Sequence, residues 1–113
     1  MHGGAFPAWL APVQLVVLPV AEEQAERAAA VVREAVALGL RAELADPGQG
    51  TLGARVRAAR LVPYQAVIGA REAEAGLAAV RLRDGRRPGA LPVADLLHRI
   101  SGRVAARGTA LWE

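Results

Sequence analysis

The 113-residue chain has no cysteine, no lysine and no asparagine. Without cysteine there is no disulfide, no thiolate metal site and no cysteine nucleophile. The two histidines, His2 and His98, are far apart and make a poor metal set, so neither a metal nor a cofactor is expected. Lysine and asparagine have A-rich codons, and a GC-rich genome is the simplest source of their absence. Long apolar runs are also missing. The longest, LAPVQLVVLPV, contains a glutamine and two prolines and is too short to cross a bilayer. Nothing basic precedes it after Met1, as a signal peptide would require. The expectation is a cytoplasmic protein with no membrane association.

What remains is apolar and arginine-rich. Hydrophobic residues make up 53% of the chain, enough to bury a core. The length suits one domain, with a core over about residues 5–104 and a tail over 105–113. The net charge of +3 is unevenly placed. Residues 1–50 carry three Arg against six acids, whereas residues 51–90 carry eight Arg against Glu72, Glu74 and Asp84. Codon bias does not explain this clustering. A basic half points to a polyanion partner, often nucleic acid; a solvated charged surface accounts for it equally well.

Val13 to Val20 is short and rich in β-branched residues, which predicts a buried strand. Glu22 to Leu38 predicts a helix with its stripe at Ala25, Ala28, Ala29, Val32 and Val36, stopped by Gly39. Leu40 to Leu44 reads as a second strand. Leu52, Val56 and Ala59 mark one face of a short helix, and Tyr64 to Gly69 a third strand. Leu77 to Arg83 ends in alternation, a half-exposed strand, and Asp84-Gly85 is a hairpin signal. The return strand, Arg86 to Leu91, contains Pro88 and should be short and at an edge. Pro92 opens a last helix with its stripe at Val93, Leu96, Leu97, Ile100 and Val104. The result is an α/β fold of about five strands flanked by three helices, its sheet made mixed by the hairpin.

Several constellations offer chemistry. GQGTLG, residues 48 to 53, matches the glycine pattern of dinucleotide-binding turns, with Glu72 about 20 residues on. Asp46-Pro47 separates it from the preceding strand, and one short domain lacks a second nucleotide half, which weakens that reading. Asp95, His98 and Ser101 have triad chemistry at i, i+3, i+6, but the end members lie about 9 Å apart along a helix, and a solvated face is the better account. No catalytic residue is assigned. Phe6 and Trp9 suit stacking on a base, or, more commonly, capping a core; Tyr64 reads as core. Arg81 and Arg83 alternate along a strand and share a face, about 6.7 Å apart. Arg57 and Arg60 share a helix face. Arginine makes bidentate contacts to guanine and stacks on bases, and Glu72 either pairs with such arginines or accepts from a base N–H.

The string HGGAFPAWLAPVQLVVLPV, with LG-x-R-V-R, VPY-x-x-V-I-G, R-E-x-E-x-G, V-R-x-R-x-G and G-x-L-P-x-x-x-L-L after it, resembles the C-terminal anticodon-binding domain of threonyl-tRNA synthetases over about residues 3 to 104. The resemblance implies that family's mixed-sheet α/β fold, shared with histidyl, glycyl and prolyl synthetases. It implies binding of the anticodon loop of threonine tRNA, with Glu72 and Arg81 reading bases and Arg57 facing the loop. Arg83 joins them as a candidate on its strand spacing. One departure stands out. The family usually has Arg-Asn-Glu-Lys where this chain has Gly48, Gln49, Gly50 and Thr51, and only Gly53 keeps the pattern. Gln49 replaces part of one lost contact. The second helix is also about two residues shorter than in the family. The class II active-site motifs are absent, so the resemblance implies a non-catalytic unit. It is either an excised domain or a free-standing copy that serves a synthetase catalytic domain or another enzyme in trans. The alternative is a diverged protein-interaction module that no longer reads anticodons. Oligomeric state is left open.

Overall fold

The structure is a computed structural model and describes residues 6–112. Its elements are β1 (Leu15–Pro19), α1 (Ala25–Ala37), β2 (Ala42–Leu44), α2 (Leu52–Ala58), β3 (Tyr64–Ile68), α3 (Ala70–Ala75), β4 (Leu77–Leu82), β5 (Gly89–Pro92) and α4 (Val93–Ala106). The strands form one mixed sheet in the order β2-β1-β3-β4-β5. β1 runs parallel to β2 and β3, whereas β3–β4 and β4–β5 are antiparallel. No helix among the described residues is long and apolar enough to cross a membrane.

Burial explains the layering. Every residue of β1 is buried, as in a strand covered on both faces. Leu15 and Val17 join Tyr64, Ala66, Ile68, Val80 and Leu82 under α1 and α4. Val16 and Leu18 turn the other way, where Leu52, Val56 and Ala59 pack over them. So α1 and α4 lie on one face of the sheet and α2 on the other. In β4 only Ala78, Val80 and Leu82 are buried, so its other face is half open beside α2. β5 is four residues long and sits at the edge, as Pro88 demands. The hairpin turns at Gly85, with φ +95°.

Two local readings change. The stripe of α1 runs through Ala28, Val31 and Ala35, and Val36 is 55% exposed. The helix has apolar residues at so many angles that periodicity alone leaves its buried face undetermined. Residues 70–75 form a fourth helix rather than a turn. The Gly69 N–H donates to Glu72 Oε1 at 2.8 Å at its start, and Gly76 ends it in the left-handed region with φ +74°.

Polar side chains fasten the irregular segments. Arg55 is 4% exposed, and its guanidinium donates to four carbonyls. Nη1 reaches Pro19 O at 2.7 Å and Ala45 O at 2.9 Å, Nη2 reaches Val20 O at 3.2 Å, and Nε reaches Gly50 O at 3.0 Å. It thereby ties α2 to the segments that leave β1 and β2. Gln14, fully buried, donates from Nε2 to Ala8 O and accepts from the Arg41 N–H at 2.8 Å. The Arg41 guanidinium in turn donates to the carbonyls of Trp9 and Ala11. At the other terminus the Tyr64 hydroxyl donates to Leu111 O at 2.6 Å, and Leu111 is buried in the core. Arg99 donates to Trp112 O and stacks over the Trp112 ring.

The glycine loop has structural work of its own. Asp46 accepts from the Gly48 N–H, closing a 3-10 turn over Pro47–Gln49. Gly50 adopts φ +137°, a region open to glycine and costly for other residues. Thr51 caps α2 by accepting from the Ala54 N–H at 3.1 Å. The loop follows β2, an edge strand, so it does not lie at the central crevice where open α/β sheets hold dinucleotides.

Replacing Arg55 by Met should lower the unfolding free energy by about 3 kcal/mol, because four inward carbonyls lose a charged donor. Urea denaturation measures it, and an unchanged midpoint would contradict the role given to this side chain. Gly50→Ala and Thr51→Ala should each cost about 1 kcal/mol, from backbone strain and a lost cap respectively. Melting temperatures of the two variants and their double check this.

Candidate functional site

α2 carries its apolar face at Leu52, Val56 and Ala59, which leaves Arg57 and Arg60 on a flank turned toward the open half of the sheet. β4 places Arg81 on the face opposite Val80 and Leu82, and the hairpin brings Arg83 to the same side. These four arginines line one groove of about 470 Å³ between α2 and β4. Gln65, opposite Arg81 in the β3–β4 register, forms part of its floor, and Leu52 and Val56 give it apolar wall.

No acidic residue is among the described residues that line the groove. Asp84, adjacent in sequence, is engaged elsewhere. Its carboxylate accepts from Arg86 Nε and Nη2 at 2.8 Å and from the Arg86 N–H at 3.0 Å. The hydrogen bond from the Arg86 side chain, then that from its backbone, hold the Asp84 carboxyl below the usual carboxylate range. Arg83 is half-buried, and its Nη1 is closed to solvent without an acceptor. Burial pulls its guanidinium down from the ordinary value, while Tyr64 and Asp84 act in the opposite direction. A guanidinium stays charged in proteins, so the groove holds positive charge with little neutralisation nearby. Such a surface suits a polyanion, and its planar donor forks suit bases as well as phosphates.

Arg57, Arg81 and Arg83 are thus brought together, with Arg60 beside them. Glu72 and Gln49 are not. Glu72 lies in the first turn of α3, beyond the end of β3, and one of its oxygens caps Gly69. Arg81 faces Gln65, about 10 Å back along β3 from its last residue. Gln49 lines a separate depression on the other flank of α2, with Glu43, Ala54 and Ala58.

The remaining candidates have other environments. Asp95 and His98 are exposed and Ser101 half-buried along α4, and no hydrogen bond joins the three. His2 lies outside the described residues. Trp9 is half-buried with Arg107 over its ring at 5.4 Å. Phe6 does not cap the core: it is 50% exposed, and Ala8 occupies that place. Tyr64 is fully buried, as expected. Two residues escape the sequence reading, Arg55 and Gln65. The signal for Arg55 was its position two residues before Arg57, which puts the two on different sides of one helix. For Gln65 it was an amide inside an otherwise apolar strand.

Residues 14–103 match the family described as the anticodon binding domain. The chain is 43% identical over 106 residues to a threonine–tRNA ligase of Halorhodospira halophila, covering 92% of this chain and 16% of that protein. It is 46% identical over 110 residues to the threonine–tRNA ligase of Dechloromonas aromatica, covering 95% of this chain and 17% of that protein. The chain therefore spans about one sixth of the length of these relatives. Among solved structures, the RNA binding domain of threonyl-tRNA synthetase from Cryptosporidium parvum superposes with a TM-score of 0.80 at 28% identity. That match covers 96% of this chain and 26% of the other. The match through both the parallel and the hairpin halves of the sheet leaves one conclusion: the chain belongs to the anticodon binding domain family.

Proposed function

We propose that the groove between α2 and β4 binds the anticodon loop of a tRNA, of the threonine type, and that the domain does so without catalysis of its own, in the cytoplasm. The observation that carries this reading is the gathering of Arg57, Arg60, Arg81 and Arg83 in one groove with no acidic side chain among its described lining residues. Sequence-specific RNA recognition favours single-stranded loops, whose bases stack on guanidinium planes and expose hydrogen-bonding edges. Threonine tRNA is the choice because the relatives named above are threonine–tRNA ligases. On this reading Glu72, beyond the end of β3, and Gln49, across α2, would meet neighbouring nucleotides rather than the one held by Arg81. Catalysis would belong to a synthetase catalytic domain, in the same longer chain or in trans.

A second reading, a protein-interaction module, draws on a different observation. Phe6 and Leu61 are 50% and 54% exposed and line an apolar depression with Pro12, Val13 and Val62. Such a patch suits a protein partner.

The test is binding of this chain to threonine tRNA and to an anticodon-swapped version across a salt series. Charge-driven affinity falls with salt for both. The swap should cost more than about 1 kcal/mol, and Arg81→Ala or Glu72→Ala should remove that difference. Alanine at Arg57 or Arg83 should weaken both tRNAs alike and reduce the salt slope by about one. Equal binding of both tRNAs by the wild-type chain, or binding of neither, would favour the interaction module.

A further inference from the structure

Gln65 lies on the floor of the groove and is 5% exposed. Its Nε2 donates to Val56 O at 3.1 Å and to Ala59 O at 3.0 Å, in the last turn of α2. With both amide hydrogens committed to carbonyls, the opposite corner of the amide must be oxygen. That oxygen, Oε1, is closed to solvent and has no hydrogen-bond partner. A buried acceptor left unmade is a costly arrangement, and in a folded domain it calls for an explanation.

Because solvent does not reach Oε1, the group best placed to satisfy it is one already in the wall. The side-chain donors there are the four guanidiniums. Arg60 gives one N–H to the Arg57 carbonyl; Arg83 has an unmade Nη1 of its own but stands two residues further along the ladder, where its backbone N–H meets Pro63 O. Arg81 is the direct partner of Gln65 across the β3–β4 ladder, on the same face, and such pairs hold their Cβ atoms about 5 Å apart. Its guanidinium has no hydrogen-bond partner among the described residues. An unmade acceptor and an unengaged five-donor fork therefore belong to residues paired directly across the ladder.

We propose that Gln65 is a positioning residue for Arg81: its Oε1 takes one guanidinium N–H and turns the other edge of the guanidinium into the groove. Held so, Arg81 presents two parallel donors to a pair of acceptors on an RNA base, with less conformational freedom to lose on contact. The contact to RNA rests on the function proposed above; the latch between the two side chains does not.

Two substitutions separate the latch from simple support of α2. Gln65→Glu and Gln65→Met both lose the donors to Val56 and Ala59, but only Glu keeps an acceptor. Nitrogen-15 NMR of the arginine side chains reads the latch in the protein without RNA. Guanidinium rotation at Arg81 should be slower than at Arg57 in the wild-type chain, stay slow in Gln65→Glu and become fast in Gln65→Met. The wild-type comparison with Arg57 needs no variant, so it decides the matter even if both variants unfold. Equal, fast rotation at Arg81 and Arg57 overturns the proposal. In binding assays, Gln65→Met should reduce discrimination between threonine tRNA and its anticodon-swapped version about ten-fold and leave the salt slope unchanged. Gln65→Glu, which keeps the acceptor, should retain that discrimination. Its loss in both variants alike would mean that Gln65 acts through its support of α2 and without Arg81, and overturns the proposal. Slow rotation with no tRNA binding would uphold the latch and count against the proposed function.

Discussion

The architecture depends on where one buried charge goes. Arg55 carries a guanidinium inward with no ion-pair partner among the described residues and satisfies it on the carbonyls of Pro19, Val20, Ala45 and Gly50. Burying an ion is expensive unless it is fully hydrogen-bonded, so this contact fixes geometry as much as it stabilises. It sets the seating of α2 on the sheet and the path of the glycine loop. It also fills the space beyond the ends of β1 and β2. In open α/β sheets the crevice at the strand ends is the usual place for a nucleotide. Part of that place is taken here by the protein's own arginine, and the groove proposed for RNA lies in the antiparallel half, where β4 is covered on one face only.

The two halves of the sheet therefore do different work. The parallel half, β2-β1-β3, is packed by helices on both faces and held at its margins by Arg55, Gln14 and Arg41. The hairpin half leaves its second face open beside α2, and there the chain places arginines that have no need to be buried. The same seven-residue helix serves both: Arg55 points into the frame and Arg57 into the groove, two residues apart. A helix this short gains little from propensity alone and relies on its packing, its Thr51 cap and the Gln65 amide at its last turn. Support of α2 and shaping of the groove are thus linked through one glutamine.

Much of this was legible in the residues. Strand positions, the Asp84-Gly85 turn, the edge placement of β5 and the buried stripe of α4 follow from periodicity and turn chemistry. Leu52, Val56 and Ala59 correctly orient α2. What was not legible has physical causes. In α1 the alanines and valines cover so much of the circumference that Val36 looked as suitable for the core as Ala35. α3 is one and a half turns of Ala, Arg and Glu, too brief for a period to register. The pairing of Arg81 with Arg83 and of Arg57 with Arg60 was readable from strand and helix spacing; the bringing together of the two pairs was implied only by the family resemblance, and the separation of Gln49 from them depends on which flank of α2 the loop enters. Burial of Arg55 could not be read locally, since its acceptors lie 36, 35, 10 and 5 residues away. GQGTLG looked like a ligand loop because the positive φ of Gly50 meets a demand of the backbone that nucleotide-binding turns share.

The all-arginine lining of the groove has a consequence for how the domain responds to its surroundings. Lysines in such a place would lose charge when desolvated or acetylated, and histidines would follow the acidity of the cell. A guanidinium gives up its charge far less readily than either. Ionic strength is then the main influence on the field in the groove. On the proposed function, such a groove acts as a fixed electrode whose hold on a polyanion is adjusted by the counterions around it.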